Sequence, residues 1–136
     1  MGCLLNEVAV QLDGSIARIR KPVILVVDDE PSIRRFIASA LQLNYETLLA
    51  RDGLEAMKFY LSYADSIDCV ITDLVMPRVT GDRFLAWLRQ RNSSVPVILM
   101  TGGGGPNLDR ALKHPQVALL RKPFTLAQLD EALRNV

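Results

Sequence analysis

Short, continuous apolar runs alternate along the chain with stretches in which apolar residues recur at helical spacing. Residues 23–27 (VILVV), 69–72 (CVIT), 97–100 (VILM) and 117–120 (VALL) read as strands buried on both faces, as in a parallel sheet. Residues 46–50 (ETLLA) read as a further strand at an edge. After Pro31, a good first-turn residue, Ile33, Phe36, Ile37, Ala40 and Leu41 follow at i, i+3, i+4, i+7 and i+8. Leu54, Met57, Leu61 and Ala64 form a second stripe, and Phe84, Leu85 and Leu88 a third. Leu126, Leu129, Leu133 and Val136 form the last, opened by Thr125 with Gln128 three residues on, a capping-box signature. A short helix is expected over 107–114, stopped by Pro115.

The sum from residue 22 to 136 is βαβαβαβαβα, which implies right-handed crossovers and a doubly wound parallel sheet covered on both faces. Residues 1–21 fall outside this alternation. Leu5, Val8, Ala9 and Leu12 suit a short amphipathic helix ended by Asp13-Gly14, and a disordered leader is the other reading.

In such a sheet, ligands bind at the carboxyl ends of the strands, near the point where the winding reverses. Those ends carry Asp28, Asp29 and Glu30, then Asp73, then Thr101, then Lys122. Any one of them has an ordinary explanation as a cap, a turn residue or a solvated charge. Converging on one edge, three close carboxylates would repel and raise one another's pKa values unless a cation neutralises them. Oxygen ligands without histidine or thiolate point to Mg²⁺ or a similar divalent ion. A lysine and a hydroxyl across the same site add donors for an anionic group. The set describes a place where a phosphoryl group meets a metal and a carboxylate nucleophile.

Composition removes several alternatives. A formal net charge of +1 gives no basic excess for nucleic acid, and no stretch approaches the roughly 20 apolar residues that span a bilayer. No basic region precedes a long apolar segment at the start, and the two cysteines, Cys3 and Cys69, make neither a disulfide framework nor a zinc site. A cytoplasmic setting is expected. The four glycines at 102–105 follow the fourth strand of the alternation, not the first, so they do not sit where a dinucleotide fingerprint belongs, and no phosphate-cradling lysine motif is present. The lone His114 reads as a surface turn residue, and Phe84 and Trp87 as core or helix-face residues.

The segments VILVVDDEP, DLVMPRVTG, LMTGG and LLRKPF, in this order and spacing, resemble the receiver domain of two-component response regulators over residues 22–136. The resemblance implies a flavodoxin-like fold with strand order 2-1-3-4-5. It implies that Asp73 accepts a phosphoryl group from a histidine of a sensor histidine kinase or a histidine phosphotransfer protein. Asp29 would ligate Mg²⁺ directly, Asp28 mainly through water, and the backbone carbonyl of Val75 would complete the protein's share alongside Asp73. Lys122 would pair with the acyl phosphate and Thr101 would swing inward to bond it. Met76, Pro77 and Gly81 read as turn chemistry around that loop.

Two departures from the family pattern shape the expected switch. The usual coupling aromatic, three residues before the lysine, is Leu119 here, so the 102–114 loop and helix are expected to carry the signal. The positions two beyond Asp73 and two beyond Thr101 are Val75 and Gly103, which offer no polar group to orient water, so no built-in acceleration of acyl-phosphate hydrolysis is expected. The expected protein is a signalling phosphoacceptor, not an enzyme beyond self-catalysed transfer and slow autodephosphorylation. Its expected output is contact with a protein target, as a monomer or weak dimer without nucleic acid or membrane. An aspartyl-phosphate enzyme lacks a legible general acid or pocket. A pseudo-receiver that binds partners without phosphorylation is the alternative reading.

Overall fold

The computed structural model describes residues 8–12 and 15–136. The chain enters through two antiparallel strands, β1 (Val8–Leu12) and β2 (Ser15–Arg20), with Leu12 opposite Ser15. This corrects the expected amphipathic helix at Val8, Ala9 and Leu12; Leu5 and the Asp13-Gly14 pair lie outside the described residues. The physical reason is legible in retrospect. VAVQL and SIARIR are rich in β-branched residues and flank an Asp-Gly pair, the two-residue signal of a hairpin. At the exit of β2, the Arg20 guanidinium donates to both carboxylate oxygens of Asp68, at 2.7 and 3.3 Å.

The rest alternates as the apolar pattern requires: β3 (Val23–Val27), α1 (Pro31–Leu41), β4 (Glu46–Ala50), α2 (Gly53–Tyr63), β5 (Ile67–Asp73), α3 (Gly81–Arg91), β6 (Val97–Thr101), α4 (Pro106–Ala111), β7 (Val117–Arg121) and α5 (Leu126–Arg134). A single 3₁₀ turn, Ala64–Ser66, joins α2 to β5. All five sheet strands are parallel in the order β4-β3-β5-β6-β7, which is 2-1-3-4-5 counted from Val23. The expected edge strand at 46–50 is therefore an edge. Among the described residues no helix is long and apolar enough to cross a membrane.

Alternating strand residues feed two cores. Leu25, Val27, Val70, Val97 and Leu99 face α2, α3 and α4, while Ile24, Val26, Ile71, Ile98 and Met100 face α1 and α5. Phe84 is fully buried in the first core, a burial that contributes about 3 kcal/mol at most. Cys69 is buried in the second, and burial pushes its thiol up to about 12, so it is inert packing. α1 and α3 lie on opposite faces, which opens a crevice between the carboxyl ends of β3 and β5.

Three helices differ from their expected stripes. α2 buries Gly53, Ala56 and Tyr60, while Leu54 and Leu61 are exposed. Its apolar residues surround most of the helix, so spacing alone does not select a face. Phe36 of α1 is also exposed, and its ring meets that of Phe124 at 6.0 Å. α4 runs from Pro106 to Ala111 instead of 107–114, with proline in its first turn. α5 closes with the expected capping box between Thr125 and Gln128.

Candidate functional site

Register brings the acids together. Val27 of β3 lies opposite Thr72 of β5, so the next residues, Asp28 and Asp73, emerge side by side. Asp28 is fully buried and Asp73 nearly so, whereas Asp29 is exposed at the rim. Carboxylate oxygens of Asp28, Asp29 and Asp73 all lie within 4.8 Å of one another. Such a group of hard oxygens, partly open to solvent, could hold a divalent cation.

Lys122 reaches into the same space from the end of β7. Its Nζ donates to Asp28 Oδ2 at 2.8 Å and stands 3.3 Å from Asp73 Oδ2. The other Asp28 oxygen accepts the backbone N–H of Glu30 at 2.9 Å. Burial raises the Asp73 carboxyl above its ordinary value of 3.8, and the charge of Asp28 raises it further. Lys122 and the Val75 backbone N–H, which donates to Asp73, work against that rise. Burial alone would lower the Lys122 ammonium, but its hydrogen bond to Asp28 and the charges of both aspartates outweigh it and raise the pKa.

The loop after Asp73 is fitted closely. Gly81 N–H donates to the Leu74 carbonyl at 2.8 Å, and a Cβ on Gly81 would fall 2.1 Å from the Asp73 carbonyl oxygen. Arg78, in the left-handed region at φ 67°, sends its guanidinium to within 3.4 Å of the buried Asp52 carboxylate, which also caps α2. Thr101 is buried one residue beyond Met100, the partner of Asp73. Its hydroxyl is engaged with the loop: it accepts from Gly103 N at 3.1 Å and donates to Gly103 O at 3.3 Å.

The structure thus gathers Asp28, Asp29, Asp73 and Lys122 into one cluster and turns the Thr101 hydroxyl toward Gly103. The side chain of Val75 is exposed. Three contributors lie outside the motifs singled out in the sequence. Arg34 donates to the Asp28 carbonyl at 2.7 Å from the polar side of α1, Asp52 meets Arg78 across two loops, and Arg121 donates to the Gly103 carbonyl at 2.9 Å. Arg34 and Arg121 are single polar residues without a motif around them, and Asp52 with Glu55 marks only a helix start, not its meeting with Arg78.

The profile of the response regulator receiver domain matches residues 24–134. The chain belongs to that family. A receiver domain protein from Clostridium thermocellum superposes with a TM-score of 0.77 at 35% identity, covering 84% of this chain and 92% of that one. The chemotaxis protein CheY4 of Vibrio cholerae superposes with a TM-score of 0.77 at 30% identity, covering 85% and 98%. Hybrid signal transduction histidine kinase D of Dictyostelium discoideum is 35% identical over 119 residues, 85% of this chain but 8% of that protein. The chain is therefore a receiver domain of two-component signalling, similar to those of histidine kinases, and spans a small fraction of that larger relative. Receiver domains are signalling modules, not conventional enzymes.

Proposed function

We propose that this receiver accepts a phosphoryl group on Asp73 from a phosphohistidine of a sensor histidine kinase or a histidine phosphotransfer protein, with Mg²⁺ as cofactor. The observation that carries the reading is the buried Asp73 carboxylate, 3.3 Å from Lys122 and grouped with Asp28 and Asp29. An Asp73 oxygen attacks phosphorus, the P–N bond to the imidazole breaks, and the histidine leaves with the electron pair of that bond. Asp28, Asp29, Asp73 and the Val75 carbonyl are the proposed metal holders. When bound, the cation supplies charge neutralisation for the phosphoryl oxygens. Lys122 already bridges Asp28 and Asp73 and is placed to pair with the acyl phosphate. Thr101 then trades Gly103 for a phosphoryl oxygen, which gives phosphorylation differential contacts with two loop states.

Exposed Phe36, with Ile33 and Phe124, forms an apolar cleft of about 420 Å³ that also touches Lys122. We assign this face to the phosphodonor protein. Residues 22–136 form the proposed signalling unit, 1–21 an extension of it, and hydrolysis of the acyl phosphate is left to slow self-catalysis.

The deciding experiment is incubation with a small phosphodonor such as acetyl phosphate and Mg²⁺, followed by intact mass. One phosphoryl adduct is expected on the parent and none on Asp73→Ala. A parent without adduct would revive the phosphorylation-independent pseudo-receiver. A second expectation concerns Lys122, the only side-chain cation within reach of both aspartates among the described residues. Removing a unit charge 2.8 Å from Asp28 and 3.3 Å from Asp73 leaves the acids more attractive to another cation. Lys122→Met is expected to bind Mg²⁺ roughly tenfold more tightly by calorimetry, and equal or weaker binding would count against the shared site.

A further inference from the structure

A polar cleft of about 390 Å³ opens between α3 and α4, walled by Asp82, Arg83, Ala86, Arg110 and His114. None of these residues belongs to the acid cluster around Asp73. Asp82 stands in the first turn of α3, where a carboxylate suits the helix dipole. The dipole does not account for its burial. The side chain is only 10% exposed, and its Oδ1 is closed off without a hydrogen-bond partner. Among the described residues it is the only buried side-chain nitrogen or oxygen left so. A carboxylate oxygen in that position needs a donor.

The protein itself supplies that carboxylate poorly. Asp82 Oδ2 has Arg110 Nη2 at 3.4 Å, long for an N–H···O bond. Arg110 is bonded as well to Asn107 of its own helix, and its side chain is exposed, so the guanidinium can turn outward and admit another donor to Asp82. The remaining donors of the cleft are idle. Neither the exposed Arg83 guanidinium nor the half-buried His114 imidazole has a hydrogen-bond or ion-pair partner among the described residues. The cleft thus holds one buried acceptor without a donor beside two guanidiniums with donors to spare.

We propose that this cleft binds a dicarboxylic α-amino acid, of the class of glutamate or aspartate. The ligand's ammonium gives Asp82 Oδ1 the charged donor it lacks. Its two carboxylates meet Arg83 and Arg110, whose planar forks match carboxylate geometry. Charge selects the ligand class. Two guanidiniums against one carboxylate leave the lining one positive charge in excess, and a dicarboxylic amino acid carries one negative. A simple anion would leave Oδ1 unpaired, and a simple amine would leave both arginines without a carboxylate. The volume falls in the range of small-molecule sites, with room for water beside His114. The site does not depend on Asp73 being the phosphoacceptor.

The test titrates L-glutamate and L-aspartate into the isotope-labelled chain and follows amide chemical shifts, with glutarate and γ-aminobutyrate run alongside. Saturable shifts confined to 80–86 and 107–114 are expected, with a dissociation constant on the order of 1 mM for the tighter amino acid. Glutarate, which lacks the ammonium, and γ-aminobutyrate, which lacks the α-carboxylate, should each bind roughly tenfold more weakly. Asp82→Asn keeps the side-chain size and removes its charge, so it should weaken the amino acid roughly tenfold while glutarate binds at least as tightly as before. Arg83→Gln alters an exposed side chain, which leaves the fold intact, and should weaken every carboxylate ligand. Unchanged spectra away from the cleft check that both variants are folded. No saturable shift with either amino acid would overturn the proposal. Equal affinity for glutamate and glutarate would also overturn it, because Oδ1 would then be unused, as would parent-like binding in both variants. Asp73→Ala should bind the amino acid as the parent does, so this site and the phosphoacceptor reading can fail separately.

Discussion

A Gly81→Ala chain is expected to melt roughly 10 °C below the parent and to accept phosphoryl groups far more slowly. Gly81 opens α3 and is buried against the backbone that carries the proposed acceptor. The added methyl would lie 2.1 Å from the Asp73 carbonyl oxygen and 2.7 Å from Leu74 Cα. Both obstacles are backbone, so no side chain can rotate away, and the strand end or the helix must move. Overpacking of this kind costs about 3 kcal/mol, which for a domain of this size is a loss of roughly 10 °C. The function suffers separately from the stability. Leu74 N–H is bonded to Met100 O at 2.9 Å and Gly81 N–H to Leu74 O at 2.8 Å, so displacement here passes directly to the Asp73 carboxylate. Its 3.3 Å approach to Lys122 would be disturbed even in the fraction that stays folded. Gly103→Ala supplies the control. That Cβ meets nothing within 4 Å and no left-handed φ is required, so the change should stay within about 0.5 kcal/mol. Thermal melts and adduct formation rates measured on both variants check the pair. Equal melting temperatures would mean that the loop is not held as tightly as its geometry states.

Gly81 also illustrates what the sequence made legible and what it did not. Its place in a turn after Pro77 is ordinary punctuation, and nothing in the residue order says that its missing side chain makes room for the Asp73 carbonyl. The five sheet strands were legible because a strand buried on both faces must be apolar throughout, and VILVV or VILM has few other solutions. The acidic cluster was legible because a parallel sheet delivers every strand's carboxyl end to one edge, so Asp28, Asp73 and Lys122 had to meet. Elsewhere the pattern was degenerate. In α2, apolar residues fall on more than one face, and packing chose Ala56 and Tyr60 over Leu54 and Leu61. At the start of the chain, Val8, Ala9 and Leu12 satisfy helical spacing while VAVQL equally satisfies a strand, and pairing with SIARIR decided it. The polar contacts of Arg34, Arg78 and Arg121 were illegible for a different reason. A guanidinium reaching a carbonyl or carboxylate in another loop depends on where that loop lies, which no local pattern encodes.

Protons and divalent cations should compete for the Asp73 carboxylate, and Asp73→Asn separates their effects. The folded protein raises the Asp73 pKa, chiefly through burial and then through Asp28. Between the ordinary value of 3.8 and the raised one, the native state therefore binds more protons than the unfolded state. Stability falls as pH rises through that window and stays lower above it, the reverse of the usual salt-bridged aspartate. Removing the charge should thus raise the metal-free melting temperature at pH 7. That gain should vanish as pH falls through the raised value to below 3.8, where the parent carboxyl is protonated in both states. Metal should separate the two chains in the opposite direction, by stabilising the parent more than the variant. If the proposed site holds Mg²⁺ only when the trio is assembled, Mg²⁺ at a hundred times its dissociation constant is expected to stabilise the parent by about 2.7 kcal/mol. In Asp73→Asn one of the three carboxylates is gone, so the melting shift produced by the same Mg²⁺ concentration should shrink to a small part of the parent's. Differential scanning measurements across pH, with and without Mg²⁺, read both effects on the same samples. A parent that melts higher than Asp73→Asn in metal-free buffer at pH 7 would show that Lys122 compensates the buried charge fully. It would also remove electrostatic frustration as the driving force for metal binding.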